Sequence, residues 1–180
     1  MTTVIFILMT AAGSVVAQEA NSKAYIGANY VFATFEQDGL AEEADLGALT
    51  AKFGAQINPY FSAELRAGVG VADESRTANG ATATLELDYL VGGYAVFGLA
   101  NQTPIYPYLV VGYTKGALTF SVTRGRGSSS FSESESDLSY GAGANFALSD
   151  SVQMNAEYMQ YLDKDGAEIS GVSVGVSLLF

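Results

Sequence analysis

The chain has 180 residues, 49% of them hydrophobic, with 19 acidic against 8 basic side chains, a net charge of -11, and neither cysteine nor histidine. At this length one domain is expected. The missing cysteines exclude disulfides, thiol nucleophiles, thiolate metal sites and a lipoprotein anchor; the missing histidines remove the usual general base and the commonest metal ligand; the acidic balance, with no Lys/Arg cluster, excludes nucleic acid as a partner.

In chain order, the first element is a short apolar segment. Val4-Ile5-Phe6-Ile7-Leu8-Met9 is an apolar core and Val15-Val16-Ala17 a small-residue cleavage site. This is the pattern of a signal peptide over residues 1–17, with the mature chain, 18–180, opening at Gln18. No Lys or Arg precedes the core, so the α-amino group or residues further upstream would supply its positive end; a short anchoring or core helix is the alternative. No run reaches the ~18 apolar residues of a spanning helix.

Beyond the signal, apolar residues alternate with period two in segments of about ten, the spacing of barrel strands. The first, near 24–35, sets Ala24, Ile26, Ala28, Tyr30 and Phe32 against Gly27 and Asn29. The second, near 48–57, sets Leu49, Ala51, Phe53, Ala55 and Ile57 against Thr50, Lys52, Gly54 and Gln56. The third, near 61–71, sets Ala63, Leu65, Ala67, Val69 and Val71 against Ser62, Glu64, Arg66, Gly68 and Gly70. The fourth, near 84–97, sets Leu85, Leu87, Tyr89 and Val91 against Glu86 and Asp88, with a bulge expected at Gly92-Gly93. The fifth starts near Tyr106 and carries Leu109, Val111 and Tyr113 on one face. The sixth, near 137–148, and the seventh, near 152–162, alternate in the same way, with Glu157 on the polar face of the seventh. The eighth ends with Val172, Val174, Val176, Leu178 and Phe180 on one face and Gly171, Ser173, Gly175 and Ser177 on the other. Long connections (36–47, 72–83, 125–136 and the shorter 163–166) alternate with tight ones (58–60, 99–104, 149–151). The stretch 125–136 is nearly all Ser, Gly and Glu after its first residues and reads as a mobile loop.

Alternation alone does not say which face is inside. The polar faces are mostly Gly, Ser, Thr and Asn, a poor surface for water but small enough for the interior of an eight-stranded barrel. Aromatic residues gather near strand ends (Tyr60, Phe61, Phe97, Tyr106, Phe146 and Phe180 at the turn side, Tyr30, Phe32 and Tyr113 toward the loops), as in interfacial girdles. The fold class expected is therefore all-β, an eight-stranded antiparallel up-and-down transmembrane barrel with apolar residues outward; a soluble barrel with apolar residues inward is the alternative.

On this orientation Lys52, Glu64, Arg66, Glu86, Asp88 and Glu157 point into the lumen. The tight turn near Pro59 places Lys52 opposite Arg66 and diagonal to Glu64, and a symmetric next loop would bring Arg66 near Asp88 or Glu86. Charges there must pair or be hydrated. Their expected role is a salt-bridged plug; a gate that opens a narrow water path is the alternative. Glu86 and Asp88 as a catalytic pair lack a nucleophile and a cleft. The acidic loop residues, Asp163-Lys164-Asp165-Gly166 among them, lack the twelve-residue frame of a calcium loop, and a solvated anionic surface is expected, with weak Mg2+ or Ca2+ bridging to lipopolysaccharide as the alternative. Gly68-x-Gly70 and Gly141-x-Gly143 lie mid-strand with no helix after them, so they are not nucleotide loops. No cofactor and no metal are implied.

The segments Ala24-Tyr25-Ile26-Gly27-Ala28, Pro107-Tyr108-Leu109-Val110-Val111-Gly112-Tyr113, Tyr140-Gly141-Ala142-Gly143-Ala144, Ala156-Glu157-Tyr158 and the final Phe180 together resemble the family of small eight-stranded outer-membrane barrels, which includes the OmpA transmembrane domain, OmpX and the opacity-type surface proteins. The resemblance spans nearly the whole mature chain, through the order and spacing of short motifs. It implies a monomer in the bacterial outer membrane, in contact with outer-membrane lipid and lipopolysaccharide. It also implies delivery by periplasmic chaperones and insertion by the barrel-assembly machinery, which reads the terminal strand (Val174, Val176, Leu178, Phe180). The chain stops at Phe180, so the peptidoglycan-binding domain of full-length OmpA-type proteins is not expected. The function expected is a structural or surface role, in envelope integrity or adhesion through a loop-bound extracellular ligand. The alternatives are a narrow porin-like channel and, disfavoured by the absence of histidine, a lipid-modifying enzyme.

Overall fold

The computed structural model describes residues 23–37, 43–78, 80–99, 101, 103–164 and 166–180. The signal peptide expected at 1–17 lies outside the described residues. Every described element is a strand: β1 (Ala24–Gln37), β2 (Ala44–Asn58), β3 (Phe61–Ala72), β4 (Glu74–Ala78), β5 (Ala81–Gly98), β6 (Ile105–Arg124), β7 (Gly127–Ala147), β8 (Val152–Lys164) and β9 (Ala167–Leu179). β4 continues β3 after a break at Asp73, and both pair with β5. These two segments are one stave, so eight antiparallel staves form the sheet. The sheet closes. β1 pairs with β9 from Tyr25–Leu179 to Gln37–Ala167, and Ala24 and Phe180 exchange both backbone hydrogen bonds, at 3.0 and 2.9 Å. Closure leaves no unpaired edge in the lower barrel, which is the condition for a sheet to cross hydrocarbon; above it, among the described residues, the Gly127–Ser139 part of β7 pairs with β6 alone and β4 with β5 alone.

The middle and the turn end of the barrel are apolar outside. Ile26, Phe53, Leu65, Leu109, Met154, Val172, Val174, Val176, Leu178 and Phe180 are all exposed, each on the face that alternation assigned to lipid. Along β9 this face runs from Val172 to Phe180, which at about 3.3 Å per residue and ~40° of tilt covers ~20 Å along the barrel axis, close to the ~25 Å apolar band of such barrels. Phe61 and Phe97, direct partners across β3 and β5, pack with tilted rings and centroids 5.3 Å apart at the turn end, and Tyr30 packs edge-on to Phe32 at 4.7 Å toward the other. Tyr106 departs from the girdle expected at the turn end. Its ring lies against Gly98, and its hydroxyl donates to the Pro59 carbonyl at 2.6 Å.

Above this band the pattern reverses. Ladders continue past the apolar belt into the segments expected to be long loops. β6 and β7 pair without interruption up to Arg124–Gly127, joined by the two-residue turn Gly125-Arg126, whose first position has φ +59 and therefore suits glycine. The Ser/Glu-rich stretch is thus a strand and not a mobile loop. Low complexity hid a strict alternation. Phe131, Glu133 and Glu135 face the barrel axis, while the serines between them face out and join a hydroxyl ladder, with Thr119–Ser132 at 2.7 Å, Ser75–Thr84 at 2.8 Å and Thr77–Thr82 at 2.9 Å. Inside, Val31, Ala33, Leu46, Ala48, Leu87, Leu90, Met159, Leu162 and Ile169 form a buried apolar layer. A wall standing in water needs polar residues outside and apolar ones inside; a wall standing in lipid needs the opposite. The chain makes both in one continuous sheet.

The fourth expected segment shows the join. The bulge lies at Asp88, which has no partner between Leu87–Leu118 and Tyr89–Ala117, and not at Gly92-Gly93, where the ladder is regular. One extra residue flips every side chain beyond it. Leu85 and Leu87 therefore face inward and Glu86 outward, the reverse of the phase that alternation continued from Val91 implies.

Candidate functional site

The lower lumen is filled by long polar side chains laid across glycines. A Cβ at Gly54 would collide with the Tyr25 ring, and one at Gly143 would meet the Tyr108 ring at 2.7 Å. These glycines let two tyrosines lie flat against the wall and aim their hydroxyls at the centre. There, β3 presents Glu64 and Arg66 and β8 presents Glu157 from the opposite side. Arg66 donates from Nε to Glu64 Oε2 at 2.7 Å and grips both oxygens of Glu157, at 2.5 and 2.9 Å. Its guanidinium also lies 4.7 Å from the centroid of the Tyr94 ring. Tyr25 donates to Glu64 at 2.6 Å and Tyr108 to Glu157 at 2.9 Å. Lys52, the register partner of Arg66, donates to Asn155 at 3.1 Å. Two cations and two carboxylates balance, and their hydrogen bonds offset the large cost of taking charge out of water.

Four of the six sequence-derived lumen residues, Lys52, Glu64, Arg66 and Glu157, thus meet in one network. Glu86 and Asp88 do not. Glu86 is exposed on the outer face, and Asp88 accepts from Thr119 at 2.9 Å. Arg66 pairs in the ladder with Gly92 instead, because β4 and β5 stay paired out to Ala78–Ala81, beyond the midpoint of the connection expected at 72–83. The residues not singled out from sequence are Tyr25, Tyr94, Tyr108, Asn155, Thr114 and Ser139. Their signal was parity: each shares the inward face of its strand with a glycine or a charge. Above the charges, Tyr94, Thr114 and Ser139 form a hydroxyl chain (2.6 and 2.5 Å) that ends on the Tyr161 carbonyl at 2.9 Å. The space left among Asn29, Thr50, Lys52, Arg66, Tyr94 and Glu157 is a cavity of about 20 Å³, room for about one water. Asn29 Oδ1, on its wall, has no hydrogen-bond partner among the described residues.

The terminal-strand residues Val174, Val176, Leu178 and Phe180 lie exposed in one row on the outer face. Among the described residues no group of three His, Cys, Asp or Glu side chains has metal-binding geometry.

The model of the outer membrane protein beta-barrel domain family matches residues 3–180. No curated protein sequence matches the chain. Among solved structures, Ail of Yersinia pestis in complex with the heparin analogue sucrose octasulfate is 19% identical, with a TM-score of 0.64 over 88% of this chain and 99% of that one. Neisserial surface protein A is 20% identical, with a TM-score of 0.63 over 87% and 97%. A major outer membrane protein of Thermus thermophilus is 12% identical, with a TM-score of 0.59 over 88% and 99%. These likenesses concern the fold. With the closed barrel and its apolar belt, the family match over nearly the full chain settles the class: the protein belongs to the outer-membrane β-barrel domain family of bacteria.

Proposed function

We propose that this protein is an exported surface barrel with a structural and adhesive role, its lumen plugged and its protruding acidic wall the working surface. The observation that carries the plug is the grip of Arg66 on Glu157 across the lumen, with Glu64 on its other side. The apolar layer above the charges closes the path a second time. A pore would need the pairs broken and the apolar layer wetted together. The protruding wall carries Glu43, Asp45, Glu74, Glu86, Glu133, Glu135, Asp137 and Glu168, with fewer cations among them. Such a surface repels a polyanion like the heparin analogue bound by Ail, and favours basic partners. The terminal strand, with Phe180 at its end, serves as the signal for membrane insertion, after removal of the leader at 1–17.

Refolded protein in planar bilayers tests the plug: no discrete conductance steps are expected, and steady steps at neutral pH would overturn it. Binding of whole cells to surfaces coated with polylysine or with heparin tests the acidic wall. Expression of the protein should increase attachment to polylysine alone; equal gain on heparin counts against the reading.

A further inference from the structure

The reversed upper barrel encloses more than a packed layer. Between that layer and the loop end lies a chamber of about 890 Å³, open outward. Its wall is apolar: Phe35, Leu85, Leu118, Phe120, Leu162 and Ile169 line it. Leu85, Phe120 and Phe131 are register partners on three adjacent strands and form a continuous row. Its volume is that of a small-molecule site, mostly apolar with a few placed charges. The charges sit at the mouth. Glu43, Glu74, Glu133 and Glu135 line it with Arg76 and Lys164. Arg76 bonds Glu74 at 3.3 Å and the Glu43 carbonyl at 2.7 Å, and Lys164 bonds Glu135 at 2.7 Å. Glu133 has no such partner among the described residues. The alternation of β7 points the same way. The serines flanking its glutamates, Ser132, Ser134 and Ser136, take the outer, water-facing side and the glutamates the chamber side, although solubility alone calls for the charges outside.

We propose that the chamber binds a small molecule with an apolar body and a cationic head, the body against the leucines and phenylalanines and the head among the mouth carboxylates. Amphiphilic amines and quaternary ammonium compounds have this chemistry. The packed layer beneath the chamber stops the ligand from passing further, so the site captures and does not conduct. Binding here does not depend on the adhesive role, and it persists whether or not the lower lumen leaks.

Calorimetric titration of the full barrel in lipid nanodiscs, with empty nanodiscs as reference, provides the test. Octyltrimethylammonium should bind saturably at one site, about tenfold more tightly than octanoate of the same chain length. Glu133→Gln should weaken the cationic probe about threefold and flatten its salt dependence, since an exposed mouth charge contributes modestly and is screened. Ile169→Trp should crowd the apolar wall and weaken binding about fivefold; Leu118→Gln, on a different wall, should do the same by removing apolar contact, with heat-modifiable gel mobility confirming that each variant is folded. No heat beyond that of empty discs, equal affinity for octanoate, or undiminished binding by both folded variants would overturn the proposal.

Discussion

Removing the Arg66 guanidinium leaves Glu64 and Glu157 facing each other in a buried lumen, each still held by a tyrosine hydroxyl. An uncompensated buried charge is expensive, so Arg66→Ala should destabilise the barrel by about 3 kcal/mol. Glu86→Gln, a change that looks equivalent in sequence, should move stability by no more than ~0.5 kcal/mol because Glu86 is exposed outside the network. Urea unfolding in phospholipid vesicles compares the two directly, and equal effects would return Glu86 to the lumen. Gly143 tests the packing side of the same site. A Cβ there would stand 2.7 Å from the Tyr108 ring and from the Ala156 carbonyl, so Gly143→Val should cost roughly 1–3 kcal/mol through overpacking. Gly125, at φ +59 in an open turn, should be sensitive to a β-branched residue for a different reason, backbone strain with no clash.

At the scale of the strand, what could be read in advance was whatever repeats with period two. Seven of the eight staves show the expected facing at every residue assigned to a face, because parity survives errors in strand ends; in β8 a bulge at Tyr161 turns Leu162 inward beyond them. β5 failed because one residue, Asp88, is spliced into the ladder between Leu87 and Tyr89, and nothing in its identity marks it as the bulge; Gly92-Gly93 was the more obvious suspect. The upper hairpin of β6 and β7 failed differently. Serine and glutamate are poor strand formers, and their composition suggested disorder. The ladder to β6 and the cross-strand hydroxyl pairs override that preference. The charge network was half legible: the tight turn at Pro59 fixed Lys52 against Arg66, but Glu157 reaches Arg66 across the lumen, a distance that local register does not encode. Amide hydrogen exchange separates strand from loop here. Residues 128–136 should be protected on the timescale of the belt ladders in their backbone-paired positions, whereas exchange within seconds throughout would restore the mobile loop.

For the molecule as a whole, one closed sheet serves two solvents. Its lower part turns aliphatic and aromatic residues to lipid around a polar lumen, and its upper part turns hydroxyls to water around an apolar interior. The transition follows the outer face of β5–β7, where Val91, Tyr113 and Leu138 give way to Asp88, Lys115 and Ser136. The absence of cysteine makes this reversal directly measurable with single introduced thiols carrying a fluorophore, in vesicles containing either a lipid-phase or a water-soluble quencher. Val174→Cys should be quenched from the lipid phase and shielded from water. Ile169→Cys, five residues earlier on the same strand but on the inner wall of the protruding part, should escape the lipid quencher. Phe131→Cys, at the chamber mouth, should respond to the aqueous quencher alone. Lipid-phase quenching at Ile169 or Phe131, or protection of Val174 from it, would contradict the reversal of faces on which the whole account stands.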